Sequence, residues 1–213
     1  MNNTLPIYLL SDSQLLFSHN AAGQHFLQSI ITEIDKPDIK AAYIGWSNGD
    51  QPEFYELFKE GMKHLHITNC SMISADFNSI DKENLLKADV ILLAGGDVNK
   101  GWQRLLETKT VDIIKKKYTS GAILIGISAG AIQLGWQTPF TTDDKYEEMM
   151  QLVPFIIGAH DEVNQWIDLK SAVLKSGKEG IGIPFGGGLK YYPDQRIEII
   201  NKPEEIFYFT NNA

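Results

Sequence analysis

Four segments of this chain are apolar at nearly every position: Pro6–Leu10, Ile39–Trp46, Val90–Ala94 and Ala122–Ile127. A strand with one wet face alternates polar and apolar residues, so an uninterrupted run must be covered on both faces. Between the runs lie stretches with helical spacing. Ala22–Ile34 places Phe26, Leu27, Ile30, Ile31 and Ile34 on one side, and Glu53–His64 does the same with Phe54, Leu57, Phe58 and Met62. His66–Ile73 reads as a further strand, Asp81–Lys87 as a short helix capped by Asp81, and Trp102–Tyr118 as one helix. Strands that alternate with helices in this way predict an α/β fold with a doubly wound, mostly parallel sheet.

The last third changes character. Leu152–Ile157 reads as a strand and Asp161–Leu174 as a helix. Gly180–Pro184, Gly188–Tyr192, Arg196–Ile200 and Ile206–Phe209 read as short antiparallel strands, with a turn at Pro193-Asp194-Gln195. They are expected to extend the sheet or cover one edge. With 213 residues, no repeat and no linker-like run, residues 1–213 are expected to form a single domain.

Composition narrows the function classes. Lys plus Arg number 19 and Asp plus Glu 27, a net charge of −8, which argues against nucleic acid or an anionic membrane as partner. One cysteine, Cys70, leaves no internal disulfide and no multi-cysteine metal site, and it fits a reducing compartment. Its simplest role is a small buried hydrophobe. No run long enough to span a bilayer occurs, and the N-terminal residues lack the basic and apolar regions of a secretory leader, so a cytoplasmic protein is expected. A homodimer is the prior for a chain of this kind.

In parallel sheets ligands bind beyond the carboxyl ends of the strands. Two such ends stand out, Ala94-Gly95-Gly96-Asp97 and Gly126-Ile127-Ser128-Ala129-Gly130. The second is a G-x-S-x-G pattern between strand and helix. There a serine sits on a strained turn, its neighbours must be small, and its hydroxyl projects from the sheet. The alternative is a small-residue turn that only allows close packing. A nucleophilic serine needs a base. Of the histidines at 19, 25, 64, 66 and 160, only His160 follows the elbow, at another predicted strand end. His64 and His66 read as surface residues. Asp143, Asp144, Asp161 and Glu162 are the candidate acids to orient His160, although each could equally be a solvated surface acid. Gly95 and Gly96 let backbone N–H groups approach a ligand closely. Neither a phosphate-binding glycine loop nor a metal-ligand spacing is evident, and no cofactor is expected.

Together these motifs resemble the peptidase E and cyanophycinase family of serine peptidases. The spacing from Gly96 to Ser128 is 32 positions, as in that family, the elbow extends to Ala131, and Gly180-Ile181-Gly182-Ile183-Pro184 is similar to its terminal hairpin segment. The resemblance runs from about Ile39 to Tyr192. It implies a three-layer sandwich like the class I glutamine amidotransferases and flavodoxin, with a C-terminal antiparallel extension. It implies Ser128 as nucleophile, His160 as base, and Gly96 and Ala129 as oxyanion-hole donors. It implies an acid in Thr141-Thr142-Asp143-Asp144, with Asp144 before Asp143. The activity implied is hydrolysis of amide bonds in small peptides.

The chain departs from the family beyond the histidine. Aspartyl dipeptidases of this kind place an arginine there, and cyanophycinases place basic residues. This chain has only Arg104 and Arg196, and its segment reads His160-Asp161-Glu162-Val163. Asp97, Asp161 and Glu162 are therefore expected to touch substrate, the last two favouring a cationic group or free amine. Two other readings compete: a catalytically silent binding or regulatory module, and an esterase. For the esterase, 85 residues after Ser128 and an acid about 16 residues on fit the usual α/β-hydrolase layout poorly.

Overall fold

The computed structural model describes residues 4–210. The main sheet contains β1 (Ile7–Leu10), β2 (Lys40–Ile44), β3 (Asn69–Ile73), β4 (Val90–Leu93) and β5 (Ile123–Ile127). To these it adds β8 (Gly188–Tyr191) and β9 (Ile197–Asn201), giving the order β3-β2-β4-β5-β1-β8-β9. The first five are parallel, and β8 and β9 continue the sheet antiparallel from β1. The mostly parallel, doubly wound sandwich with an antiparallel extension is thus present.

The apolar runs are explained by what their two faces meet. Ile7 and Leu9, Ala42 and Ile44, Ile91 and Leu93 point into one core cluster, while Tyr8 and Leu10, Ala41 and Tyr43, Val90 and Leu92 point into the other. Helices cover both faces: α1 (Ser29–Ile34), α2 (Pro52–His64), α3 (Ser79–Lys87), α4 (Val98–Glu107), α5 (Thr110–Thr119), α6 (Ala129–Leu134) and α7 (Ile167–Ser176). Phe58 and Met62 of α2 pack on the Tyr8 side, and Trp102 and Leu105 of α4 on the Ile7 side.

Several local expectations change. The α1 helix begins only at Ser29, because the preceding loop is organised by His25 and by Asn20, whose side chain caps its own turn. Trp102–Tyr118 is two helices, broken where Lys109 takes a positive φ of 57°. Asn78, one turn before Asp81, caps α3, and Asp81 closes the capping box from inside the helix. A further strand, β6 (Ile156–Ala159), starts later than Leu152, and a short 3-10 turn at Glu162–Asn164 precedes α7. The last strands divide between two sheets. Strands β6, β7 (Gly180–Ile183) and β10 (Phe207–Phe209) form a separate three-stranded sheet, in which β7 runs parallel to β6 rather than in a hairpin. Trp166 explains the close packing behind it, since a Cβ on Gly182 would lie 2.8 Å from its ring.

The loop before α1 carries a pH-dependent element. His25 is buried, its Nε2–H donates to the Leu16 carbonyl at 2.9 Å, and its Nδ1 accepts the Leu27 N–H at 3.1 Å. Nδ1 can accept only while the ring is neutral, and burial holds the histidine's pKa below its usual value, with His19 and His64 adding repulsion. A depressed histidine leaves the unfolded chain binding the extra proton first. Its contribution to stability is therefore complete above the unfolded value of about 6.5 and is lost as pH falls toward the lower folded value. We predict that the urea midpoint falls between pH 7.5 and 5.5, and by less in His25→Gln. Equal falls in both proteins would contradict this.

Candidate active site

Strand β5 is wholly buried and leads directly into Ser128, whose N–H donates to the Leu10 carbonyl at 2.9 Å. Ser128 has φ 49° and ψ −108°, a conformation unfavourable for any residue with a side chain. Such strain persists only where the surroundings enforce it. They do so here, because α6 begins at the next residue and lies almost against the sheet. A Cβ on Gly126 would stand 2.7 Å from Ala131, and one on Gly130 would stand 2.1 Å from the Leu93 carbonyl oxygen. The small residues of the motif are thus required by a buried helix packed onto β4 and β5, and the same packing turns the serine outward.

His160 follows β6, the strand at the edge of the smaller sheet. Its N–H donates to the Ile183 carbonyl at 2.8 Å, and its φ of 43° turns the side chain back toward the main sheet. Its Nε2 lies 2.7 Å from Ser128 Oγ, a hydrogen bond between residues 32 positions apart. The structure therefore brings together the serine and histidine expected to act as a pair.

Gly96 sits beside them with a positive φ of 133°, so close to Ser47 that a Cβ would approach its carbonyl oxygen to 2.4 Å. That conformation suits only glycine. The Gly96 N–H donates to no protein acceptor among the described residues, and the Ala129 N–H, first in α6, has no intrahelical acceptor. Gln133 fixes this corner from behind, its Nε2 donating to Ser47 Oγ at 3.1 Å and to the Val98 carbonyl at 3.0 Å.

The expected acids are placed differently. Asp143 and Asp144 form the corner of a two-residue hairpin between Thr142 and Lys145, both with positive φ and both exposed. No hydrogen bond or ion pair joins either to His160 among the described residues. The pair Asp-Asp suits such a corner because acidic and amide residues tolerate left-handed backbone. Asp97 caps α4 by accepting the Lys100 N–H at 3.0 Å. Asp161 accepts from Asn164 Nδ2 at 2.7 Å, and Glu162 accepts the Phe185 N–H at 3.1 Å. Cys70 is not activated, since burial pushes its thiol up to about 11.

Two cavities flank the pair, and both are lined by Gly96, Ser128 and His160. The larger, about 720 Å³, opens toward α2, and the smaller, about 250 Å³, includes Phe140, Asp161 and Asp168. Asp97 lines the larger one, whereas Asp161 and Glu162 do not. Sequence reading missed Ser11, Asp12, Ser47 and Gln133. The first two follow β1 at its carboxyl end, so the strand-end rule already pointed to them. Gln133 gives no such signal, being one polar residue within a helix. Among the described residues no cluster of three or more His, Cys, Asp or Glu could hold a metal, and no helix is long and apolar enough to cross a membrane.

A doubly wound sheet with a strained serine at one strand end and a histidine bonded to it has the class I glutamine-amidotransferase-like fold. More particularly, the chain belongs to peptidase family S51, whose family model matches residues 7–165, and is a serine-type peptidase by that membership. Two solved structures share the fold. One is a peptidase from an acI-B1 actinobacterium, 17% identical, with a TM-score of 0.71, covering 100% of this chain and 97% of that one. The other, from Listeria monocytogenes EGD-e, is provisionally named a peptidase E and is 16% identical, with a TM-score of 0.60, covering 97% and 98%. None of the curated proteins compared with the chain matches it.

Proposed function

We propose that the protein hydrolyses amide bonds in small peptides through an acyl-enzyme on Ser128. The observation that carries this reading is the 2.7 Å contact between Ser128 Oγ and His160 Nε2 at a strained elbow. His160 takes the hydroxyl proton as Oγ attacks the carbonyl carbon. The amides of Gly96 and Ala129 donate to the developing oxyanion, and His160 returns the proton to the leaving amine. Water, deprotonated by the same ring, then releases the acid and regenerates the serine. Among the described residues no side-chain bond runs from Asp143 or Asp144 to the ring, which favours a serine–histidine pair as the working core. An Asp144→Asn variant is expected to retain turnover within about threefold, whereas loss of the acid in a full triad costs about ten-thousandfold. A drop of that size would restore Asp144 to the triad.

The acyl-enzyme itself is testable. Hydroxylamine added to a reaction on short peptides intercepts an acyl-enzyme, so hydroxamates should form at the expense of free acid. Only free acids at every hydroxylamine concentration would argue for direct attack by water and against this mechanism.

A further inference from the structure

The larger cavity specifies more than a peptide bond. Its wall on the α2 side is built from Leu16, Phe54, Leu57 and Phe58, and it is completed by Ile127 beneath and Phe185 opposite. Three of these are too exposed for core residues: Phe54 at 42%, Leu57 at 43% and Phe185 at 50%. Large apolar side chains scattered singly on a surface need no explanation, but three converging on one cavity beside a reactive serine do.

The two carboxylates at this cavity are already engaged. Asp12 accepts from Ser11 Oγ, from the Gln14 N–H and from the Gly186 N–H. Asp97 holds the start of α4. Lys100 also lines the cavity, and its ammonium stands 2.9 Å from where a Cβ on Gly49 would lie, without a hydrogen-bond or ion-pair partner among the described residues. Glu162, where the sequence suggested a contact with a cationic substrate, instead holds the backbone of Phe185 and so fixes the wall opposite α2.

We infer that this cavity takes a large apolar side chain, aromatic or branched aliphatic, from one of the two residues flanking the scissile bond. The substrates are therefore short peptides selected for hydrophobicity rather than for an aspartyl or basic residue. This rests on Ser128 being the nucleophile. The smaller cavity, on the other side of the same serine and histidine, receives the second residue. A charged side chain placed against Phe54, Leu57 and Phe185 would lose its water to carbon surfaces, whereas an apolar one gains by leaving water.

The test pairs a dipeptide panel with a reagent that ignores side chains. Phe-Ala, Ala-Phe, Asp-Ala, Ala-Asp, Lys-Ala and Ala-Lys are compared by kcat/KM, and Ser128 is labelled with a small dialkyl phosphorofluoridate. One of the two phenylalanine peptides should exceed its aspartyl and lysyl counterparts by at least tenfold. In Leu57→Asp that preference, taken relative to the labelling rate, should fall at least tenfold. Leu57 is half-exposed, so the variant is expected to fold, and a thermal melt checks this. Equal or faster cleavage of an aspartyl or lysyl peptide would overturn the inference and turn attention to Lys100 or Asp97. Labelling of Ser128 with no cleavage of any peptide would overturn the inference while leaving Ser128 as a reactive nucleophile. Failure to label would remove the serine reading and this inference with it.

Discussion

Ser128→Ala should lower peptide turnover by about a thousandfold or more while leaving the fold intact. The size of the effect follows from the role. The hydroxyl is the atom that forms the bond, and among the described residues no other side chain hydrogen-bonds His160. The second half of the expectation follows from the backbone. The positive φ at 128 is imposed by the buried contacts of Gly126 and Gly130 and not by the hydroxyl, whose one described partner is His160. Alanine inherits the same strained turn, so the melting temperature should move by no more than a few degrees. Residual activity within tenfold of wild type would show that the reaction runs through another group. A large loss of stability would show that the Ser128–His160 bond supports the fold as well as the chemistry.

Gly130→Ala should be among the most destabilising single-methyl changes in the chain. The added carbon would meet the Leu93 carbonyl oxygen at 2.1 Å and its carbon at 2.6 Å. Both belong to β4, a strand hydrogen-bonded to neighbours on both sides, so the clash can be relieved only by lifting α6 from the sheet. Overpacking of this kind costs about 3 kcal/mol or more, or roughly 10 °C in melting temperature for a chain of this size. Because Ser128 stands at the start of α6, turnover should fall with stability. Gly23→Ala is a useful contrast. Its φ is 76° but nothing lies within 4 Å of the new carbon, so it should cost only the roughly 1–2 kcal/mol of a left-handed residue. A Gly130→Ala protein that melts within 2 °C of wild type would mean that the elbow tolerates the displacement and is not held by this contact.

The residues explain why some of this was legible in the sequence. Ile7 to Leu10, Val90 to Leu93 and Ile123 to Ile127 announce burial on two faces, and burial on two faces leaves few architectures for a chain with helices between its strands. The elbow was legible for the same reason, since Gly126 and Gly130 are demanded by backbone contacts that a strand–turn–helix junction always creates. His160 could be chosen because only one histidine follows the serine at a strand end. The pairing of β6 with β7 could not be read, because parallel and antiparallel partners share the same apolar pattern. The placement of the acids could not be read for a physical reason as well. A carboxylate near a catalytic histidine in sequence is equally suited to a hairpin corner, as at Asp143 and Asp144, or to a free backbone N–H, as at Glu162. Which of these it serves depends on contacts between distant segments. The apolar wall of the cavity was hidden too, because Phe54 and Leu57 fall on the helical stripe that normally marks a core.

Whether Ser128 is the nucleophile activated by His160 can be read from the mass of the intact protein after treatment with a small organophosphorus reagent. A single adduct is expected, located on Ser128 by fragmentation, absent from Ser128→Ala and formed at least a hundredfold more slowly in His160→Ala. An adduct on another residue, or labelling of Ser128 at an unchanged rate without His160, would contradict it.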